Sequence, residues 1–217
     1  MATAIDVAKF FLSKVDRDNG DVITHLKLQK LVYYSQAWSL VLRGQELFED
    51  TIEAWKNGPV SPSVWDEYKT YADRTPIPYS CDFDEKILSE DELNLLSQIV
   101  STYGEFTASK LWKLSHKEYP WLEARRGIPA DHPSKEVITP KSMKDYYSNF
   151  VDINYKTIHS EVFSEEKDLG SLITLNDGEK FVQIRSDDLY QYFESNSSEK
   201  NKIKVNVRRS RLSNVGS

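Results

Sequence analysis

The chain has 217 residues, with 28 basic and 34 acidic side chains, a net charge of −6 and a mean hydropathy of −0.57. No run approaches the roughly 20 apolar residues of a membrane-spanning helix, and a single cysteine, Cys81, excludes an internal disulfide framework and a cysteine-based zinc site. Nine Phe, five Trp and twelve Tyr exclude wholesale disorder, because so many rings need a core or an interface. The first apolar patch is broken by Asp6 and Lys9, and no small-residue cleavage site follows, so it does not read as a signal peptide. A soluble, cytoplasmic protein with no membrane contact is expected.

The spacing of Val7, Ala8, Phe10, Phe11 and Val15 predicts a helix over 6–15, ended by the turn Asn19-Gly20. Thr24 is placed to cap a long helix over 25–43, in which Leu28, Leu31, Val32, Ser35, Trp38 and Leu42 repeat at three and four; Gly44 closes it. Residues 47–55 read as an extended segment or short hairpin, followed by the turn Asn57-Gly58-Pro59. That turn has one glycine and no lysine at phosphate-loop spacing, and Pro59 lacks an N–H, so it reads as structural. Ser61-Pro62 starts a helix to about residue 71, and 75–84 is a loop. Ser89 to Glu92 forms a capping box ahead of Leu93, Leu96, Ile99, Val100 and Tyr103, and Gly104 closes that helix. Thr107 opens another with Leu111 and Leu114 inward. Pro120 starts a short turn ending at Gly127, and Thr139-Pro140 starts a last helix to about residue 149.

After Phe150 the texture changes. Residues 171–175 and 180–184 flank Asn176-Asp177-Gly178 and read as a β-hairpin. Ser186 to Leu189 caps a short helix reaching Phe193, Asn196-Ser197-Ser198 is a linker, and 202–207 suits an edge strand or nothing. The predicted fold is therefore mainly α. A compact helical domain over 1–150 holds a short extended or hairpin insertion, and a C-terminal segment over 151–217 carries the hairpin and a basic tail. Residues 199–211 hold six basic side chains against Glu199 alone, leaving 22 basic and 33 acidic residues elsewhere. An acidic body repels nucleic acid; Lys204, Arg208, Arg209 and Arg211 in the tail are the candidates for contacting nucleic acid or an acidic partner, unless the tail is simply solvated.

Catalytic signatures are absent: no Walker A, G-x-G-x-x-G, G-x-S-x-G or H-E-x-x-H sequence occurs. His25, His116, His132 and His159 are scattered, none with a second histidine at ligand spacing. His116 and Glu118 form the one weak acid–base candidate, and Asp131-His132 a weaker one. Cys81 lies beside Asp82, whose charge makes it a poor nucleophile. No catalytic residue, cofactor or metal site is expected. The densest feature is aromatic: Tyr33, Tyr34, Trp38, Trp55, Trp65 and Tyr68. Such rings are either core or a protein-binding surface, and spacing alone does not separate the two.

The same residues carry a family resemblance. Lys27-Leu28-Gln29-Lys30-Leu31, then Tyr33 and Gln36, resembles the K-L-Q-K-L-x-Y-x-x-Q signature of the Panacea domain, the SocA-like, phage-associated antitoxin family. Ala54-Trp55, Gly58-Pro59-Val60, Pro62 and Val64-Trp65 resemble its A-W-x-x-G-P-V-x-P-x-V-Y segment, with Trp65 in place of tyrosine. Leu114-Ser115-His116 with Pro120-Trp121 resembles a third, L-S-H-x-x-x-P-W. The resemblance covers about 5–150. It implies a helical antitoxin of a toxin–antitoxin system that neutralises a cognate toxin by direct binding, with a AAA+ protease as a further partner for at least one member. An acidic body then suits a basic toxin. The expected partner-binding residues are Trp55, Asn57, Gly58, Pro59, Trp65 and Tyr68. The alternatives are a nucleic-acid-binding regulator that uses the tail on DNA, a proteolytic adaptor of phage origin, and an enzyme built on His116 or His132.

Overall fold

The computed structural model describes residues 1–15, 22–72, 75–78, 83–152, 157–158, 172–176, 181–185 and 204–206. Helix α1 (Ala4–Ser13) starts two residues earlier than the apolar spacing predicts. Thr3 accepts from the Asp6 N–H while the Asp6 carboxylate takes the Thr3 N–H, a capping box written with Asp instead of Glu. Helix α2 (His25–Leu42) is capped by Thr24 through the Lys27 N–H, and Gly44 follows it at φ +76°, as its sequence position predicts.

Every side chain of α2 from Leu28 to Leu40 is buried, polar ones included. The periodicity marks one apolar face, yet neighbours enclose the helix: α1, α3 (Pro62–Tyr68), α4 (Glu90–Tyr103), α5 (Ala108–Lys117) and α7 (Pro140–Tyr147) all pack on it. Its buried polar groups find partners. Gln29 donates to the Ser61 carbonyl and accepts from the Ser61 N–H, and the Gln36 side chain accepts from the Leu47 and Phe48 N–H groups and donates to the Phe48 carbonyl. A buried polar group left alone costs about 1–3 kcal/mol, so this pairing is what makes a polar central helix tolerable. Trp38 and Leu31 lie inside, as their spacing predicts, and the Trp38 indole donates to the Tyr103 hydroxyl at 2.8 Å.

Three short strands make a sheet in the order β2-β1-β3. Strand β1 (Ile52–Trp55) pairs antiparallel with β2 (Gly58–Val60) and with β3 (Val137–Ile138). The extended region is thus shorter than 47–55, and its third strand was not legible. Trp55 faces Gly58 across the Lys56-Asn57 turn. Gly58 has φ +96°, and a Cβ there would stand 2.6 Å from Lys30 Nζ and 3.0 Å from Ser115 Oγ. Backbone conformation and crowding therefore both require glycine.

The remaining caps fall largely where predicted. Ser89 and Glu92 form their box, and Thr107 and Thr139 cap α5 and α7. Gly104 ends α4 in ordinary right-handed conformation, so its stop does not depend on a left-handed residue. Ser61 precedes α3 but makes no cap bond: its hydroxyl pairs with Ser63 and its N–H with Gln29. Leu111 is buried, whereas Leu114 is only half-buried. Pro120 sits in the first turn of α6 (Tyr119–Ala124), and Gly127 follows at φ +77°.

The core does not stop at Phe150. Strands β4 (Val151–Asp152) and β5 (Thr157–Ile158) pair, Val151 packs against the core and Ile158 is buried in it. The expected hairpin is present as β6 (Leu172–Asn176) with β7 (Phe181–Arg185), and β8 (Lys204–Asn206) adds to the other edge of β6 in the order β7-β6-β8. The fold is mainly α with small antiparallel sheets. Asn19-Gly20, Cys81, His159, the turn residues Asp177-Gly178 and the helix predicted from Ser186 to Phe193 lie outside the described residues.

Candidate functional site

Beneath the β1–β2 hairpin lies a closed polar network. Lys30, fully buried, donates to the Pro59 carbonyl at 2.9 Å. Glu118, also buried, accepts from the Tyr34 hydroxyl at 2.9 Å and the Tyr147 hydroxyl at 2.7 Å. The Tyr33 hydroxyl lies 3.3 Å from that of Tyr147. Burial pushes the Glu118 carboxyl up to about 7, opposed by its tyrosine bonds, and draws the Lys30 ammonium down to about 7, opposed by the charge of Glu118. Burial near Glu118 raises Tyr33, Tyr34, Tyr103, Tyr146 and Tyr147 well above the usual phenol range, so these rings stay neutral donors.

These side chains are buried, Glu118 keeping 4% of its surface exposed. His116 and Glu118, the acid–base candidate, are not partnered. The His116 Nδ1 meets the Trp112 carbonyl at 2.7 Å and its Nε2 the Lys56 carbonyl at 3.0 Å. Burial holds its pKa below the usual range, opposed by those two bonds. Asp131 and His132 bond to each other on the surface at 2.9 Å. Among the described residues no group of three His, Cys, Asp or Glu is arranged to hold a metal, and no helix is long and apolar enough to cross a membrane.

Above the hairpin the surface opens into a groove of 880 Å³. The start of α2 supplies Thr24, His25, Leu26 and Gln29; the hairpin supplies Trp55, Lys56, Asn57 and Val60. Trp65 comes from α3, Ala108, Ser109 and Trp112 from α5, and Pro133, Ser134 and Lys135 from the loop before β3. The rings form two clusters. His25 meets Trp65 edge-on at 4.7 Å, and Trp65 meets Trp55 at 5.1 Å. Trp112 packs on His116 at 4.1 Å, and His116 on Trp121 at 4.2 Å.

The hairpin rim is fastened from behind. The Trp121 indole donates to the Trp55 carbonyl at 3.0 Å, and Arg125 donates to the carbonyls of Ala54, Pro129 and His132 at 2.7–2.9 Å. Trp112 keeps 36% of its surface exposed, unusual for so large a ring.

Of the six residues expected to bind a partner, Trp55, Asn57 and Trp65 line the groove. Gly58 and Pro59 are buried and hold the turn against Lys30. Tyr68 is buried on α3, away from the groove lining, and burial raises its phenol to about 12. Lys204 falls on β8, and Arg208, Arg209 and Arg211 lie outside the described residues. Sequence reasoning missed Trp112, Lys56, Lys135 and the position of His25. Trp112 had one usable signal: it stands out of phase with Leu111 and Ser115, the buried positions of α5.

The described residues form a mainly helical fold with an aromatic groove. Comparison with known proteins finds a family match over part of the chain. Residues 28–122 match the family described as "Antitoxin SocA-like, Panacea domain", so the resemblance read from the three signatures holds over that stretch. The chain is 32% identical to Antitoxin SocA of Caulobacter vibrioides (strain NA1000 / CB15N), in an alignment covering 46% of this chain and 58% of that relative. It thus spans less than two thirds of the relative's length. No solved structure matches it.

The three signatures meet around the hairpin. Gln29 and Lys30 hold β2 and its exit, Gly58 and Pro59 fit over Lys30, and Glu118 and Trp121 anchor the tyrosines and the rim. Most of the signature is therefore internal wiring that presents Trp55 and Trp65.

Proposed function

We propose that this chain is an antitoxin that neutralises a cognate protein toxin by direct binding in the cytoplasm, without catalysing a reaction, and that the groove is its main contact surface. The observation that carries the reading is the gathering of Trp55, Trp65 and Trp112 on one open, backbone-fastened surface. Interfacial hot spots concentrate in such rings, and a surface that needs no reorganisation loses less entropy on binding. The match to a SocA-like antitoxin domain supports it.

The test is co-expression with the product of the adjacent reading frame. Trp112 keeps 36% of its surface exposed but packs on His116, so Trp112→Ala should cost about 1–2 kcal/mol and still leave a folded chain, checked by circular dichroism. It should nevertheless abolish growth rescue, as should Trp65→Ala. Rescue by both variants at wild-type levels would remove the groove from the interface. Replacing Arg208, Arg209 and Arg211 together with alanine tests the tail: the groove reading expects rescue to persist with weakened affinity, and complete loss would move the main contact there.

A further inference from the structure

The groove's local charge is opposite to that of the chain. The protein carries −6 overall, yet the charged residues lining the groove are Lys56 and Lys135, both exposed. Neither ammonium forms an ion pair or hydrogen bond among the described residues. Two carboxylates lie nearby. Asp131 feels Lys56 but is bonded to His132, and Glu53 accepts the Trp55 indole N–H at 2.6 Å. At the α2 end, His25 is 4% exposed and its Nε2 has no hydrogen-bond partner. Its one bond goes to the Val64 backbone. With the ring proton on the nitrogen facing Val64, Nε2 is a bare acceptor in a wall of tryptophans.

Resting on the reading of the groove as the toxin contact, we infer that its occupant is an acidic segment of the partner protein. The segment brings carboxylates to Lys56 and Lys135 and apolar or aromatic side chains to Trp55, Trp65 and Trp112. This reverses the expectation, drawn from net charge, of a basic contacting surface. A peptide fits the lining better than a nucleotide does. The groove lining contains no arginine, and its hairpin offers no row of free backbone N–H groups: Gly58 is buried against Lys30, and Pro59 has no N–H.

Two measurements on the full-length chain test the inference. The first titrates it with capped eight-residue peptides that contain Leu and Phe but no Trp, with Glu, Ser or Lys at the remaining positions, and follows its tryptophan fluorescence. The Glu peptide is expected to bind at least tenfold tighter than the Ser and Lys peptides, and Lys56→Glu with Lys135→Glu should invert that order. Equal binding, a preference for Lys, no binding, or quenching by a mononucleotide instead would overturn the inference. The second repeats growth rescue with the same charge-reversed double variant, its fold checked by circular dichroism, beside Trp112→Ala. Loss of rescue in both variants supports an acidic occupant. If Trp112→Ala fails and the charge-reversed variant rescues, the groove remains the contact and the acidic-segment inference falls. If both rescue, the groove reading falls with it.

Discussion

Lys30 reaches the hairpin from beneath, and Lys56 stands at its turn. Lys30 is fully buried, bonded to the Pro59 carbonyl and drawn down in pKa, whereas Lys56 is exposed and makes no ion pair or hydrogen bond among the described residues. The two histidines repeat the contrast. His116 sets its ring nitrogens beside the Trp112 and Lys56 carbonyls and donates to one of them, whereas His25 Nε2 has no hydrogen-bond partner among the described residues. Beneath the hairpin, polar atoms are used to fix one backbone arrangement. Above it, the same residue types are left incomplete. Closed networks specify structure, and an incomplete one on a rigid frame is prepared for something else to finish.

The strongest way to break the comparison is through Glu118. Glu118→Leu strands the Tyr34 and Tyr147 hydroxyls, at about 1–3 kcal/mol for each buried donor, so urea denaturation should show a loss of about 2–6 kcal/mol. Glu118→Gln keeps an acceptor and should lose clearly less; equal losses would mean that packing, not hydrogen bonding, dominates there. The same residue sets a pH dependence. Its carboxyl is raised from 4.5 to about 7, so folding takes up a proton between those values, and its contribution to stability is present below 4.5 and lost as pH rises through 7. Lys30, lowered from 10.5 to about 7, acts in the next window: the unfolded chain holds a proton that the folded one has shed, so stability recovers from 7 towards 10.5. A dip near pH 7 that Glu118→Gln makes shallower on its acid side is the expected curve.

His25 gives the next largest effect, with the opposite sign to Glu118 on the acid side. Burial lowers its pKa from 6.5 to about 4, so the folded state resists the proton that the unfolded chain accepts. Stability attributable to His25 is complete above pH 6.5 and falls by up to about 3 kcal/mol as pH drops through 4. Because His116 shares that direction, the readout is the difference between wild type and His25→Gln across this range; a flat difference would show that His25 is not held neutral by its surroundings. The smallest effect sharpens the frame itself. Gly58→Ala should cost about 1–2 kcal/mol from the positive φ alone, and more if the Lys30 ammonium cannot withdraw. An unchanged melting temperature would show that the turn can relax.

Much of the scaffold was legible because its punctuation is local. Thr24, Ser89, Thr107 and Thr139 announce their helices through a short polar side chain ahead of an apolar period, and Gly44 announces a stop. Thr3 escaped because the apolar spacing begins after the cap does. Strand β3 escaped because two residues carry no period, and only pairing with Ile52 and Glu53 makes Val137 and Ile138 a strand. The groove was half legible. Trp55, Asn57 and Trp65 lie close together in sequence, whereas Lys135 reaches the site through that same pairing and Trp112 through the packing of α5 on α2. The burial of Lys30 and Glu118 had no local signal, since each reads as an ordinary charged surface residue until the hairpin and tyrosines close over it.

The pairing of β1 with β3 joins positions 53 and 137, and like the packing of α7 on α2 it is a contact between segments far apart in the chain. Contacts of that separation form late, because a long loop must close before they return any energy. A nascent chain carries helix α2 and the hairpin well before it carries the strand that completes them, and until then the outer edge of β1 is an open template for another strand. The matched region, 28–122, ends before β3 and starts after α1, so the stretch that defines the family is shorter than the stretch that can finish folding. Chain order thus imposes a schedule: the groove is complete only once residues 133–138 have been synthesised and docked, and expression fragments trimmed to the matched limits should aggregate.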